Sequence, residues 1–437
     1  MISKNGKNIG KPMTYENSIL WVKKEIKEIL AEKGYIRGPF GSSLRRHELK
    51  SSGIPVYEQQ HAIYNSREFR LFIDENKFNE LKRFQVKTGD ILISCSGTIG
   101  KISIIREEDP KGIISQALLI LRPNPNVVQP LFLKYFLESP AGFNSIVSRS
   151  SGSVQVNIAK RELIENIELP IPSLKEQDVI INILNSIESN IKTNQQMNIT
   201  LESIAQALFK HWFIDFEFPD ENGQPYESSG GEMVDSEIGE IPKNWTIKKL
   251  DEIANFLNGL PLQKYPAIND DDYLPVIKIR EMNSRISGTS DKASRDIPSE
   301  YIVDNGEVIF AWSGSLGVTI WCNGRGALNQ HLFKVSSKDY PKWFYYQWLL
   351  HYLPDFVEIA RDKATTMGHI QRHHLSESLV AVPDKSRLET MNKIFNSLLK
   401  RAINLKVENE SLVRMRELLI PQLMLGKIRV SREDINV

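Results

Sequence analysis

The 437-residue chain has few cysteines, almost no net charge and no long apolar run. Its two cysteines, Cys95 and Cys322, lie too far apart in sequence to form a zinc-ligand set by themselves, so we expect a reducing, cytoplasmic environment. No stretch approaches the ~18–20 apolar residues of a membrane span, and the polar start of the chain shows no secretory signal. With a net charge of only +1, any DNA-binding surface has to be a local basic patch.

What is present is the composition of a soluble globular protein, with 41% hydrophobic and 25% charged residues. At roughly 150 residues per domain, the length suggests about three structural units. The charges are unevenly placed. Residues 215–241 contain nine acidic residues and no Lys or Arg, which predicts a solvated connector that buries no apolar surface. Basic residues are concentrated in 33–50 and 145–161.

The chain contains an internal repeat. The segment from Val86 to Gly100 (Val-Lys-Thr-Gly-Asp-Ile-Leu-Ile-Ser-Cys-Ser-Gly-Thr-Ile-Gly) returns 217 residues later, between Val303 and Gly317, as Val-Asp-Asn-Gly-Glu-Val-Ile-Phe-Ala-Trp-Ser-Gly-Ser-Leu-Gly. Both copies have short β-branched strands broken by glycine, followed by a helical pattern. A period this long indicates two copies of a whole domain rather than a solenoid, whose repeats are about 20–50 residues long.

A helical pattern with a heptad seam follows each copy. The two seams match at a constant offset of 211 residues, and their positions are Ile180, Leu184, Ile187, Ile191, Asn194, Asn198 and Leu201, then Met391, Phe395, Leu398, Ala402, Leu405, Asn409 and Leu412. This predicts two paired helices about 60 Å long that separate two domains, with Asn198 and Asn409 setting their register. The alternative is two independent amphipathic helices in separate cores. Ser173 is predicted to cap the first helix and Asp384 the second.

Motifs for catalysis or metal binding are missing. Gly97 to Lys101 resembles only the end of a phosphate-binding loop, so its glycines are interpreted as turn residues. His369, His373 and His374 have no Cys or carboxylate at ligand spacing, which argues against zinc. No Asn-Pro-Pro-Tyr-like tetrapeptide of an amino-methyltransferase and no acidic nuclease constellation are found. The aromatic run from Trp343 to Trp348 could stack on bases, but its helical pattern favours a hydrophobic core face.

Four segments carry a resemblance to a known family. They are Leu169-Pro-Ile-Pro-Ser-Leu-Lys-Glu-Gln177, Gln206-Ala-Leu-Phe-Lys-His-Trp-Phe-Ile-Asp-Phe216, Gly239-Glu-Ile-Pro-Lys-Asn-Trp245, and Arg414-Met-Arg-Glu-Leu-Leu-Ile-Pro-Gln-Leu-Met-Leu-Gly-Lys-Ile428. With the repeat and the paired helices, they resemble the specificity subunit of type I restriction–modification systems. The resemblance implies a mixed α/β (α+β) fold, with two similar target recognition domains separated by two long antiparallel coiled-coil helices in an internal two-fold repeat. The first domain lacks the Gly-Glu-Ile-Pro type of opening.

On this basis we divide the chain into seven segments. They are an N-terminal extension (1–16), recognition domain 1 (17–172), the central spacer helix (173–214), the acidic connector (215–241), recognition domain 2 (242–385), the C-terminal spacer helix (386–426) and a tail (427–437).

The resemblance also implies a non-catalytic subunit that binds double-stranded DNA. It has no cofactor of its own and no membrane partner. Two methyltransferase subunits, which carry S-adenosylmethionine and the adenine-N6 chemistry, would dock on the helices, and restriction–translocation subunits can join them. Two alternatives remain: a DNA-binding subunit of a related type IIB/IIG-like restriction–methylation enzyme, or a scaffold that does not bind DNA. An enzyme would need a methyltransferase or nuclease motif, and a scaffold would need no polar, basic loops.

Such loops are present at corresponding places in both repeats, and they supply the candidate DNA-binding residues. The candidates are Arg37, Arg45, Arg46, Gln59, Gln60, Gln155, Asn157 and Arg161 in the first domain, and Gln263, Lys264, Lys278, Arg280, Arg285, Arg361, Lys363, His369 and Arg372 in the second. Arg can read guanine, and Asn or Gln adenine, through paired hydrogen bonds. Because the two sets differ, we expect two different half-sites in an asymmetric, interrupted target. No catalytic, cofactor or metal residue is predicted.

Overall fold

A computed structural model describes residues 21–40, 43–147, 158, 160–269, 271–362 and 368–430. Within these ranges, no helix is both long enough and apolar enough to cross a membrane. The chain forms two compact units: a first unit made of residues 1–188 and 415–437, and a second unit made of 189–414.

In the described residues, the first unit has nine short strands and six short α-helices, followed by the start of a long one. Its strands are β1 (Val22–Glu25), β2 (Leu30–Arg37), β3 (Ile54–Tyr57), β4 (Phe72–Ile73), β5 (Ile91–Ser94), β6 (Ile102–Ile104), β7 (Ile113–Ile114), β8 (Leu118–Pro123) and β9 (Glu168–Ile171). Its helices are α1 (Ile26–Ile29), α2 (Gln59–Ile63), α3 (Glu75–Glu80), α4 (Pro130–Glu138), α5 (Pro140–Val147), α6 (Arg161–Glu165) and the first part of α7 (Leu174–Phe209).

The main sheet of the first unit is antiparallel, in the order β2-β8-β5-β6. Its central strand β5 is buried on both faces, because alternate side chains of a strand point to opposite sides. Ile91 and Ile93 pack in one core with Phe132 of α4, whereas Leu92 packs in a second core with Val56 of β3. The second core lies under a three-stranded sheet in the order β4-β3-β7, and β1 pairs with β9.

The second unit repeats this plan. Its strands are β10 (Met233–Ser236), β11 (Gly239–Pro242), β12 (Thr246–Lys249), β13 (Asn255–Asn258), β14 (Leu274–Ile277), β15 (Lys292–Ala293), β16 (Ile302–Val303), β17 (Val308–Ala311), β18 (Gly317–Ile320), β19 (Gly326–Leu328), β20 (Leu332–Ser336) and β21 (Leu379–Val382). Its helices are the rest of α7, then α8 (Leu250–Ile253), α9 (Ile279–Asn283), α10 (Lys342–Asp362), α11 (Arg372–Glu377) and α12 (Lys385–Met424), the last of which ends in the first unit.

The strand orders confirm the predicted repeat. The main sheet of the second unit is β13-β20-β17-β18, which matches β2-β8-β5-β6, and β12 pairs with β21 as β1 pairs with β9. The aromatic run at the start of α10 is a core face, as the helical pattern favours, because Trp343 and Trp348 are almost fully buried. Both predicted caps are present: Ser173 Oγ accepts the Glu176 amide at 3.3 Å, and Asp384 Oδ1 accepts the Arg387 amide at 3.1 Å.

The long helices α7 and α12 contain 36 and 40 residues, and they run antiparallel where they meet in the second unit. Asn409 Nδ2 donates to the Ile191 carbonyl (3.3 Å), Lys406 forms an ion pair with Glu202 (2.6 Å), and the ring of Phe395 packs edge-on against Trp212 (5.7 Å). The contacts therefore progress in opposite directions along the two helices. After Phe209, α7 continues as one π-helical turn from Lys210 to Ile214.

The predicted seam is buried or half-buried throughout, but it is not a helix–helix seam along its whole length. Ile180 and Leu184 pack in the core of the first unit, together with Leu423 of α12. Met391 and Phe395 belong to the aromatic core of the second unit. The alternative of separate cores thus holds for the first turns of each helix, because each helix begins directly after the last strand of its domain.

The expectation that 215–241 buries no apolar surface is wrong. Phe216, Phe218 and Tyr226 are at most 9% exposed, and Phe218 stacks on Tyr226 (4.6 Å between ring centres) and on Trp245 (5.1 Å). The carboxylates stay at the surface while these rings face the core of the second unit. The overall composition of the segment is acidic and polar, so it does not reveal the few, widely spaced aromatic residues that anchor the segment in the core.

Candidate nucleic-acid interface

Strands β5 and β17 each end in a Ser-Gly-x-x-Gly turn, and the candidate interface is built around these two turns. The positive φ angles of Gly97 (64°), Gly100 (72°) and Gly314 (69°) confirm their interpretation as turn residues. Among the described residues, no atom lies within 4 Å of a Cβ added at Gly97. These residues therefore leave the main chain of the turn accessible to a partner at the end of β5.

In the first unit, two other segments hold this turn. The side-chain amide of Gln59 at the start of α2 donates to the carbonyls of Ser96 (2.5 Å) and Thr98 (3.1 Å). The Ile158 amide donates to the Cys95 carbonyl at 3.0 Å. Gln59 was predicted to contact DNA, but its donors are engaged in the framework.

Arg37, the last residue of β2, lies at the same end of the sheet. Its guanidinium lies beside the Cys95 thiol and 5.6 Å from the centre of the Phe40 ring. One guanidinium nitrogen, Nη1, is buried without a hydrogen-bond partner among the described residues. Burial raises the pKa of the Cys95 thiol to about 12 although Arg37 opposes this, so Cys95 remains protonated and unreactive near neutral pH.

The other candidate DNA-binding residues of the first unit differ in their exposure and in the contacts that their side chains make. Arg45 and Arg46 are exposed at a short 3-10 turn, Arg46–Glu48. Gln60 is half-buried and makes one long hydrogen bond, from Nε2 to the Glu68 carbonyl (3.4 Å). Arg161 forms an ion pair with Glu165 (2.8 Å) and lies over the Tyr35 ring. Gln155 and Asn157 lie outside the described residues.

The second unit holds the corresponding turn with an equivalent main-chain bond. The Ile370 amide donates to the Trp312 carbonyl (3.0 Å), as Ile158 does to Cys95, and the Gly314 amide donates to the Gly368 carbonyl (2.8 Å). The side chains differ, because Trp312 occupies the position of Cys95 in the repeat. Trp312 Nε1 donates to Asn258 Oδ1 (3.0 Å), and Ser313 Oγ lies 3.0 Å from His331 Nδ1.

Two predicted residues lie at this turn. His369 is exposed, with its ring centre 6.4 Å from that of Trp312. Arg372 is exposed, donates to the Phe256 carbonyl (3.1 Å) and lies over the Phe333 ring. Gln263 and Lys264 are exposed on the 3-10 turn Leu262–Lys264, in the loop that follows β13.

The remaining candidates of the second unit are less available to DNA or lie elsewhere. Lys278 forms an ion pair with Asp291, and Arg280 forms one with Glu281, whose side chain is 1% exposed. Arg280 also donates to the Thr289 carbonyl (3.0 Å), so the loop that follows Arg280 holds its guanidinium group in place. Arg285 is half-buried near the end of α9, and Arg361 is exposed near the end of α10, 3.6 Å from Glu358. Lys363 lies outside the described residues.

Sequence reasoning missed Asn258, Trp312 and His331, which form the polar surface around the second turn. The available signal was the repeat itself. Cys95 and Trp312 occupy one framework position with unrelated side chains, and such a position is where two copies of a domain can differ in what they bind.

The premise that no carboxylate lies at ligand spacing to the histidines is also wrong. Ligand atoms of His373, His374 and Glu377 lie within 4.8 Å of one another on α11. However, His374 Nδ1 accepts the Gln371 amide (3.0 Å), which places the proton of a neutral ring on Nε2. To bind a metal ion, His374 would have to lose either the hydrogen bond from Gln371 at Nδ1 or the proton on Nε2. We therefore assign no metal to this cluster.

Comparison with known protein families also divides the chain into two similar parts. The profile of the type I restriction modification DNA specificity domain matches residues 19–203 and again 242–411. The MjaIX specificity subunit of Methanocaldococcus jannaschii is 24% identical over 423 residues, which covers 94% of each chain. The HindI specificity subunit of Haemophilus influenzae is 24% identical over 405 residues and covers 78% of this chain and 87% of its own.

Among solved structures, the S subunit of a type I restriction–modification system from M. genitalium superposes with a TM-score of 0.57 at 16% identity, covering 94% of this chain and 98% of its own. That likeness concerns the fold. The profile match over both repeats, which together make up most of the chain, shows that the protein belongs to the family of type I restriction–modification DNA specificity proteins.

Proposed function

We propose that the chain is the specificity subunit of a type I restriction–modification complex, in which each unit reads one half of an asymmetric, interrupted DNA target. One observation carries this proposal. Two copies of one framework differ in the side chains around their turns. The first turn has the buried Cys95 and Gln59, whose amide bonds to the turn itself, whereas the second has Trp312, Asn258 and His331. Identical domains would favour a symmetric target, whereas differing domains favour unlike half-sites.

The chemistry of these surfaces suits base recognition. Amide, imidazole, indole and guanidinium groups offer the donors and acceptors that match base edges in the major groove. Most protein–DNA hydrogen bonds go to the backbone, so many of the exposed arginines and lysines serve orientation rather than readout. A complex that shares phosphate contacts among subunits also explains why this chain, with a net charge of +1, is not strongly basic.

The chain itself is proposed to be non-catalytic and to hold no cofactor. Burial raises the pKa of both cysteine thiols, so neither is an activated nucleophile. Adenine-N6 methylation would come from methyltransferase subunits, which bind S-adenosylmethionine and turn the adenine out of the helix. Two such subunits, joined by restriction subunits, form the complex we expect.

The long helices would dock the methyltransferase subunits. Several large apolar side chains remain exposed along them, among them Ile199 (58%) and Ile204 (47%) on α7 and Ile394 (46%) on α12. Exposed apolar residues on otherwise polar helices are typical of surfaces that bind another protein.

The test is to co-express the chain with its neighbouring methyltransferase subunit and to map methylated adenines by long-read sequencing. We expect one asymmetric, interrupted motif that disappears when the chain is omitted. A palindromic motif, or methylation that does not depend on the chain, would contradict the proposal.

A further inference from the structure

A cleft of about 520 Å³ runs along the edge strand β2 of the first unit. It is lined by residues of the strand, by Gly38, Phe40 and Ser43 beyond it, by Arg83 and Phe84, and by Arg122 of β8. Arg37 lines the cleft and also lies beside Cys95, the residue before the Ser-Gly-x-x-Gly turn. The cleft therefore continues directly from the candidate interface.

Four cations line this cleft, and three of them are not neutralised. Arg122 makes a two-point ion pair with the buried Asp90 (2.7 and 2.8 Å). In contrast, Lys33, Arg37 and Arg83 form no ion pair with any residue in the described ranges, and Glu32 is the one unpaired acid in the lining. Unpaired cations around one concavity favour an anionic ligand.

The backbone at the cleft is irregular in a way that a simple edge strand does not require. The register between β2 and β8 shifts between Leu30 and Tyr35, and Lys33 within this bulge has a φ of 53°. A lysine in the left-handed region is strained, and bulges on edge strands commonly re-aim a side chain at a functional site. Here the bulged residue is one of the three unpaired cations.

An exposed aromatic ring completes the cleft. Phe40 is 63% exposed and lies 5.6 Å from the Arg37 guanidinium, while Arg83 lies over the Phe84 ring at 4.4 Å. A flat apolar group beside unpaired cations can pack on a sugar while the cations bind the phosphate next to it.

The second unit has no counterpart with this character among its described residues. Its edge strand β13 is only four residues long, and the cleft next to it is lined by Asp251, Glu252 and Asp339 as well as by Lys338 and Arg372. The basic cleft is therefore a property of the first unit and not of the repeated framework.

We propose that this cleft clamps the sugar–phosphate backbone of duplex DNA beside the first half-site. Lys33, Arg37 and Arg83 bind phosphate oxygens, and Phe40 packs against the deoxyribose. The clamp rests on the proposed function and deepens it: Arg37 orients the DNA and does not read a base, and Arg83, which lies outside the predicted loops, takes part in DNA binding.

The test uses the complex with its methyltransferase subunit and three variants of the chain. Arg83→Ala and Lys33→Asn each remove one clamp cation, and asparagine tolerates the backbone of Lys33. Lys82→Ala is the matched control, because Lys82 is an exposed lysine on the same 3-10 turn that forms no ion pair with the described residues and does not line the cleft. Affinity for target and non-target duplexes is measured by fluorescence anisotropy across a salt series, after thermal unfolding has shown that each variant is folded.

Each lost phosphate contact should make the decrease of log K with log salt concentration less steep, by about 0.9 in slope. We expect Arg83→Ala and Lys33→Asn to do so, with affinity reduced about three- to tenfold for both duplexes. The methylated sequence should be unchanged, and Lys82→Ala should match the wild type.

Three results would overturn the clamp: equal slopes for Arg83→Ala and Lys82→Ala, a methylated sequence altered by Arg83→Ala, or displacement of the duplex by micromolar nucleoside monophosphate. Loss of the methyltransferase subunit from the Arg83→Ala complex would equally point to a protein contact instead. If the wild-type complex shows no sequence preference while Arg83→Ala still lowers the slope, the proposed function fails and the clamp stands.

Discussion

The side-chain amide of Gln59 donates to the Ser96 carbonyl, and this bond ties the start of α2 to the turn after β5. Gln59→Ala should therefore cost about 1 kcal/mol of stability and loosen recognition of the first half-site. Thermal unfolding and methylation mapping measure the two effects. Gln60→Ala is the control, because its single long hydrogen bond predicts little change in stability. If Gln59→Ala unfolds at the wild-type temperature, the turn is held by other means.

The buried seam residue Asn198 predicts a gain in stability on substitution by an apolar residue. Asn198 is 6% exposed, and its Oδ1 has no partner among the described residues, while Nδ2 bonds only to the Asn194 carbonyl of its own helix. A buried acceptor without a partner costs about 1–3 kcal/mol, so Asn198→Leu should raise the melting temperature.

Asn409 Oδ1 is likewise buried without a partner among the described residues, but Asn409→Leu should gain less, because Asn409 Nδ2 also donates to the Ile191 carbonyl across the helices. This bond supports the predicted register role for Asn409, whereas Asn198 makes none across the helices. The double variant should melt higher than the wild type and keep its half-sites, with at most a change in spacing tolerance. A lower melting temperature, or altered bases in either half-site, would contradict the assignment of these residues to the seam.

Substitutions at the two turns should act on separate half-sites. Asn258→Ala removes the acceptor of the Trp312 indole, which should alter only the half-site read by the second unit, while Arg45→Ala should affect only the other. Each true base contact is worth about 1–3 kcal/mol. Methylation mapping of both variants provides the comparison, and one substitution that rewrites both half-sites would refute independent reading.

A fourth prediction follows from the proposal that this chain recognises DNA while the methyltransferase subunits carry out catalysis. The isolated chain should neither bind S-adenosylmethionine nor methylate DNA, because the sequence offers no motif for either. Calorimetric titration of the purified chain with the cofactor should give no heat of binding, and the complex with the methyltransferase subunit is the positive control. Micromolar affinity of the chain alone would disprove a purely recognitive role.

The sequence predicts the two helices and their caps because these depend on local spacing, and it predicts the repeat because two long segments of the chain are visibly similar. It does not predict which cations are free. Arg280 and Arg45 look alike in the sequence, but Arg280 is held by the buried Glu281 beside it, whereas Arg45 is exposed on its loop. Whether a side chain is free depends on the fold around it, and the same is true of Trp312, whose place beside Asn258 requires two strands to be neighbours in space.

The main-chain bonds from Ile158 to Cys95 and from Ile370 to Trp312 bear on how such a protein can diversify. A bond between a main-chain amide and a main-chain carbonyl does not involve the side chains of the two residues. It is formed at equivalent positions in both units. The residue that accepts this bond can therefore differ, as Cys95 and Trp312 do, while the bond itself is kept. In a protein built from two copies of one framework, the side chains next to such a bond can diverge between the copies while the main chain that carries them stays the same.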